Sequence, residues 1–148
     1  MSSRNQISHA TTLMVRDTCM CLHLQRAARA VARRFDAAMR PHGLTNGQFS
    51  LLMSLNRPEP PPMKAVSALL AMDRTTLTAA LKPLERRGLV VIEQDEEDKR
   101  SRLLILTPAG HRLLAEAFPI WEQTHAEIEK PFPPGEVDRL RHRLRELS

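Results

Sequence analysis

Thr75, Thr78, Lys82 and Arg86 recur at intervals of three and four residues, the spacing that places side chains on one face of a helix. With Ala79 among them, that face is small, hydroxylated and cationic, and it carries no carboxylate. It offers hydrogen bonds and ion pairs rather than a nucleophile or a metal set. A second charged group follows, in which Asp95, Glu96, Glu97 and Asp98 run directly into Lys99 and Arg100. A third is Cys19-x-Cys21-x-His23, which has the look of a metal-binding spacing. On a helix, however, Cys19 and His23 share a face while Cys21 points nearly opposite, so the three do not converge on one ion. Neither an orienting acid nor a Gly-rich elbow accompanies Cys21 and His23, which argues against a thiol enzyme. No catalytic residue, metal or cofactor is expected.

The elements that position these residues can be read around them. Asp73 is a cap for the free N–H groups of a first turn, and Gly88 suits a left-handed helix exit, so a helix is predicted from Arg74 to Arg87. Leu77, Leu81 and Leu84 form its buried face, opposite the hydroxylated one. Pro83 removes a backbone donor and is expected to kink this helix, leaving the Ala79 carbonyl unpaired on the outer side. LVVIE and RLLIL then read as two strands joined by the charged turn. Upstream, Thr45 caps a predicted helix over 46–55, with Phe49, Leu52, Met53 and Leu55 as core positions. RPEPPP is expected to stiffen a surface loop, and Met63 to Leu70 to form a short helix with Val66, Leu69 and Leu70 inward. Two short helices, a tight turn at Ala71 and Met72, and a polar outer face on the second helix make a helix-turn-helix; the basic hairpin after it completes a winged-helix layout.

The flanks are helical. After a polar tail of about 12 residues, a long helix is expected from Arg16 to Arg40, with Met20, Leu24, Ala27, Val31, Phe35, Ala38 and Met39 in period. Thr107 and Pro108 open another, to about Glu129, and a last helix follows PFPPGE with Val137, Leu140, Leu144 and Leu147. These stripes need a partner, and a symmetric dimer supplies one. The fold class is therefore mainly α with a small β-hairpin, a winged helix-turn-helix at 44–107 flanked by dimerisation helices at 13–41 and 108–148, within one domain of 148 residues. The net charge of +5 favours an anionic partner. The whole excess lies in residues 1–60, so affinity must come from local placement of charge. A chain with one Trp and no Tyr lacks the stacking platforms of single-strand binders, which turns the reading toward duplex DNA. MSSRNQISHATTL lacks the order of a signal peptide and no run approaches a membrane span, so a cytoplasmic protein without a membrane partner is expected.

Taken together, MDRTTLTAALKPLERRGLV and DEEDKRSRLLILTPAG resemble the MarR family of winged-helix transcriptional regulators over almost the whole chain, including GLTNGQFSLL at the second helix. The resemblance implies a homodimeric, sequence-specific regulator of double-stranded DNA with a pseudo-palindromic operator, a repressor released by a small-molecule effector. Carried over by position, Thr75, Thr78 and Lys82 become contacts to base edges or phosphates, Arg74 and Arg86 contacts to phosphates, and Asp98, Lys99 and Arg100 the wing tip. Arg100 would enter the minor groove, held by Asp98. The acidic run beside it departs from the more basic wings of the family and predicts weak, salt-sensitive nonspecific affinity, while Ala71 stands where Gly is common. The family's ligand pocket implicates His23, Arg26, Phe49, Met53 and Trp121, with Arg29 beside them. Cys21 shares the register of the sensing cysteine in the organic-hydroperoxide branch, which makes a thiol-based redox sensor the alternative function. Gln25, Phe35, Asn46 and Phe49 stand where that branch has tyrosines, and a buried Cys21 without such neighbours reads as a small hydrophobe.

Overall fold

A computed structural model describes residues 6–148. Its elements are α1 (His9–Thr18), α2 (Met20–Met39), a short 3-10 turn at Arg40–His42, α3 (Asn46–Leu55), α4 (Met63–Leu70), α5 (Arg74–Arg86), β1 (Val90–Gln94), β2 (Arg102–Leu106), α6 (Pro108–Glu129) and α7 (Glu136–Glu146). The chain divides after Arg34 into two compact units, with α2 running from one into the other.

In the first unit the expected polar tail and single long helix give way to two helices. The Ser8 hydroxyl accepts from the Thr11 N–H at 3.1 Å and starts α1, none of whose residues is buried. The helix predicted from Arg16 is interrupted at Cys19, which is extended (φ −67°, ψ 109°). Thr18 turns its hydroxyl back to the Met14 carbonyl at 2.7 Å, and the Cys19 sulfur accepts from the Leu22 N–H at 3.5 Å. Cys19 thus ends one helix and caps the next with sulfur in place of the oxygen that usually marks such a cap. Met20, Leu24 and Val31, part of the stripe expected to need a partner, are exposed in the single chain, and only Phe35 and Met39 of α2 are buried.

The second unit holds the core, in which Met39, Leu51, Leu52, Val66, Leu77, Leu81, Leu84 and Leu104 are fully buried. Asp36 ties the end of α2 to the start of α3: one carboxylate oxygen accepts from the Asn46 backbone N–H at 2.7 Å and from its side-chain amide at 2.8 Å. These bonds favour the ionised form and hold the Asp36 carboxyl below its ordinary value. Thr45 and Gln48 close a capping box at the head of α3. Met53, expected in the core, is exposed because it lies on the solvent face of α3 with Ser50, three residues earlier. Leu69, expected inward, is 62% exposed for the same reason, since Val66 and Leu70 set the packed face of α4.

The Pro-rich stretch does more than stiffen a loop. Pro61 is buried and its carbonyl accepts from the Leu104 N–H at 3.0 Å, while Pro62 bridges to Leu103. It is a short edge partner to the hairpin, a place where a residue without a backbone N–H is tolerated. β1 and β2 pair antiparallel from Val90 with Leu106 to Gln94 with Arg102. At the base of the hairpin the Thr107 hydroxyl donates to the Gly88 carbonyl at 2.6 Å and accepts from the Gly110 N–H at 3.0 Å. Gly110 is where α6 crosses close over the chain, since a Cβ there would lie 2.3 Å from the Leu89 carbonyl oxygen.

Candidate nucleic-acid interface

The turn that aims α5 is built from small groups. Ala71 adopts a left-handed backbone (φ 52°), the only such non-glycine among the described residues, and the Ser67 hydroxyl donates to the Met72 carbonyl. A β-carbon in that region is strained, which is the cost anticipated for Ala in place of Gly. Asp73 then caps α5. Its carboxylate accepts from the Thr76 N–H at 2.7 Å and from the Thr76 hydroxyl at 3.0 Å, and these bonds hold it below its ordinary carboxyl range. At the far end the helix stops at Arg86, one residue short of the expected limit. Arg87 leaves the helical ladder as its cap, and its guanidinium donates to the Gly43 carbonyl at 2.6 Å.

Between those ends Leu77, Leu81 and Leu84 are buried, and Arg74, Thr75, Thr78, Ala79, Lys82 and Arg86 are all exposed. α5 stays helical through Pro83, and Ala79, whose carbonyl that ring leaves without its usual donor, is on the exposed side.

At the wing tip, Asp95 accepts from the Glu97 N–H at 3.0 Å, and Asp98 accepts from the Arg100 N–H at 3.1 Å. The Gln94 side-chain amide donates to the Lys99 carbonyl at 2.7 Å. Asp98 therefore holds Arg100 through its backbone; the guanidinium is not the group it grips. Lys99 and Arg100 are exposed, and among the described ion pairs none involves either.

α4, the start of α5 and the wing enclose a cleft of about 660 Å³. Lys64, Arg74, Arg100 and Arg102 line it against the single carboxylate of Asp98, over an apolar floor that includes Met63 and Met72. Four cations around one concavity concentrate positive potential where a negatively charged chain can lie. Lys64 and Arg102 belong to this cleft and were not singled out in the sequence, because each sits alone in a segment read for its apolar pattern.

The residues expected to line an effector pocket are not part of the cleft. Phe49 is buried and stacks on Trp121 at 6.3 Å between ring centroids, and Trp121 stacks on His125 at 4.7 Å. Met53 is exposed, and His23 and Arg26 are exposed on the part of α2 in the first unit. His23 directs its ring Nδ1 at the Cys19 carbonyl, 2.7 Å away. Cys21, expected to be buried, is exposed, and the Gln25 amide donates to its sulfur at 3.3 Å. Among the described residues no group of three or more His, Cys, Asp or Glu side chains could hold a metal ion.

A buried-faced helix with a cationic outer surface, set by a tight turn beside an antiparallel wing, defines a winged-helix DNA-binding regulator. The family model for the MarR family matches residues 44–101. YkoM of Bacillus subtilis (strain 168), an uncharacterized HTH-type transcriptional regulator, is 30% identical over 115 residues, 78% of this chain and 75% of its own. Some other curated relatives are spanned less fully, SarZ of Staphylococcus haemolyticus over 62% of its length. Among solved structures, the Mycobacterium tuberculosis transcriptional regulator MosR in complex with DNA superposes with a TM-score of 0.79 at 35% identity, covering 87% of this chain and 92% of that one. The repressor CouR bound to a 23-mer DNA duplex superposes at 0.77 with 29% identity, covering 86% and 91%; CouR of Rhodococcus jostii RHA1 has also been solved bound to p-coumaroyl-CoA. The chain belongs to the MarR family and is a transcriptional regulator, not an enzyme.

Proposed function

We propose that the protein is a homodimeric repressor that reads a pseudo-palindromic operator and is released by a small-molecule effector. The observation that carries the DNA reading is the continuity of charge around one cleft: Arg74 at the head of α5 and Arg100 at the wing tip line the same concavity. α5 lies in the major groove, with Thr75, Thr78 and Lys82 toward base edges and Arg74 and Arg86 toward phosphates, while Arg100 reaches the adjacent minor groove from a tip that Asp98 and Lys99 shape. Residues 44–107 do the reading, and the helices of 13–41 and 108–148 pair two copies so that two α5 helices meet half-sites about one DNA turn apart. Among the described residues no helix is long and apolar enough to cross a membrane, in keeping with work on chromosomal DNA in the cytoplasm.

The DNA reading is tested by gel shift of the purified protein against the intergenic DNA beside its own gene. A specific complex at low salt that Arg100→Ala weakens, with loss of preference for A·T-rich flanks, is the expected result. Absence of any specific complex would sink the repressor reading. The effector reading draws support from the p-coumaroyl-CoA bound to CouR. It is tested by a thermal-shift screen of aromatic acids and acyl-CoA esters, in which a hit that also dissolves the DNA complex is expected.

A further inference from the structure

The three threonines of α5 use their hydroxyls differently. Thr76 donates to Asp73 at the cap. Thr75 is exposed, and among the described hydrogen bonds its hydroxyl takes part in none. Thr78 is exposed as a residue, yet its Oγ1 donates to the Arg74 carbonyl at 2.8 Å and lies 4.0 Å from the sulfur of buried Met63.

A threonine in a helix has one common way to hide its polar branch, which is to return the hydroxyl to the carbonyl four residues earlier. The proton of Thr78 is then committed, and its oxygen is turned toward α4. Of the two branches on Cβ, the methyl is the one left for the outside. In the major groove a methyl has one specific complement, the C5-methyl of thymine. Thr75 lies one helical step away on the same face with a hydroxyl free to give or accept.

Resting on the placement of α5 in the major groove, we infer that Thr78 is a specificity-determining residue that selects thymine through methyl-to-methyl contact, not a hydrogen-bonding one. Thr75 supplies the polar contact beside it.

The experiment removes one methyl at a time from either side. The wild-type protein is used to enrich binding duplexes from a random DNA pool, and each thymine of the enriched half-site is replaced by deoxyuridine, which lacks only the C5-methyl. At one position the replacement should weaken wild-type binding about fourfold per half-site, the worth of one buried methyl group. Thr78→Val, which keeps the methyl and loses the hydroxyl, should show the same ratio of thymine to deoxyuridine affinity as the wild type, whatever its absolute affinity. Thr78→Ser, which keeps the hydroxyl, should bind thymine and deoxyuridine duplexes alike. Thermal melts of both variants control for folding.

Equal binding of thymine and deoxyuridine duplexes by the wild type at every position would overturn the inference while leaving the placement of α5 intact. So would a Thr78→Ser variant that still discriminates, or a Thr78→Val variant that has lost the discrimination. Enrichment of no duplex at all would overturn the placement itself, and the inference with it.

Discussion

Asp73 commits its carboxylate to the helix it begins, taking two hydrogen bonds from Thr76. Its carboxyl is held below the ordinary value by those bonds, so the stabilisation is complete above about pH 4, the usual carboxylate range, and fades as pH falls through the lowered value. The melting temperatures of wild type and Asp73→Ala should therefore differ by a constant amount near neutrality and converge in acid; a gap unchanged at pH 2 would show that the cap acts without its charge. Gly110 is a second residue whose identity follows from space. Ala at that position meets the Leu89 carbonyl at 2.3 Å, an overlap that backbone must yield to relieve, and overpacking of that kind costs about 1–3 kcal/mol. Thr107→Ala should cost about 1 kcal/mol through loss of the helix cap alone, and more because it also releases the Gly88 carbonyl. Urea denaturation of the two variants checks both figures. The roles of Asp73, Gly88 and Thr107 could be read from sequence because caps and exits have residue-type signatures. That of Cys19 could not, since nothing in its identity announces a sulfur acting as a cap.

The elements whose apolar faces close within one chain were the legible ones. α3, α4, α5, β2 and α6 lie within a residue of where period and caps put them, and the face of α5 with Thr75, Thr78, Lys82 and Arg86 is exposed as its spacing requires. The Pro-rich edge was not legible, because its pairing to β2 runs through the carbonyl of Pro61, a group every residue carries. The acidic wing also changes meaning once folded. Asp95 and Asp98 keep their charge but also hold backbone N–H groups of the tip, whereas among the described hydrogen bonds and ion pairs the Glu96 and Glu97 carboxylates hold nothing. Those two charges can be removed without loosening the tip, and they act as an electrostatic brake beside Arg100. The double variant Glu96→Gln, Glu97→Gln should bind operator and random DNA several-fold more tightly at low salt, the gain shrinking as salt screens it. Asp98→Asn should instead loosen the tip and lose affinity. If the double variant bound no better in a fluorescence titration, the brake would be refuted.

At the scale of the whole molecule the informative fact is how much apolar surface one chain leaves uncovered at its two ends. In the first unit Met14, Val15, Met20, Leu24 and Val31 are exposed; in the second, Leu140 and Leu144 of α7 and Leu147 at its cap are exposed. Isolated exposed leucines are ordinary, but here they recur in helical period, as Met20, Leu24 and Val31 along α2 ahead of its buried end, and as Leu140 and Leu144 on α7, which buries nothing of its own. Burying such stripes against their own copies under two-fold symmetry is a route to a stable assembly. In the proposed dimer two weak half-site contacts joined in one particle would multiply rather than add, so the reading head would need no large net charge. The prediction is that sedimentation equilibrium finds a dimer at micromolar concentration, and that Leu24→Glu or Leu144→Glu shifts it to monomer. Each burial of a carboxylate in an apolar seam is prohibitive unless it is paired. Either variant should keep the helical signature of the winged-helix core, whose buried residues it does not touch, and should lose binding to a full palindrome far more than to a half-site. A wild-type monomer that shifts the palindrome with full affinity would refute the dimer and with it the two-half-site geometry.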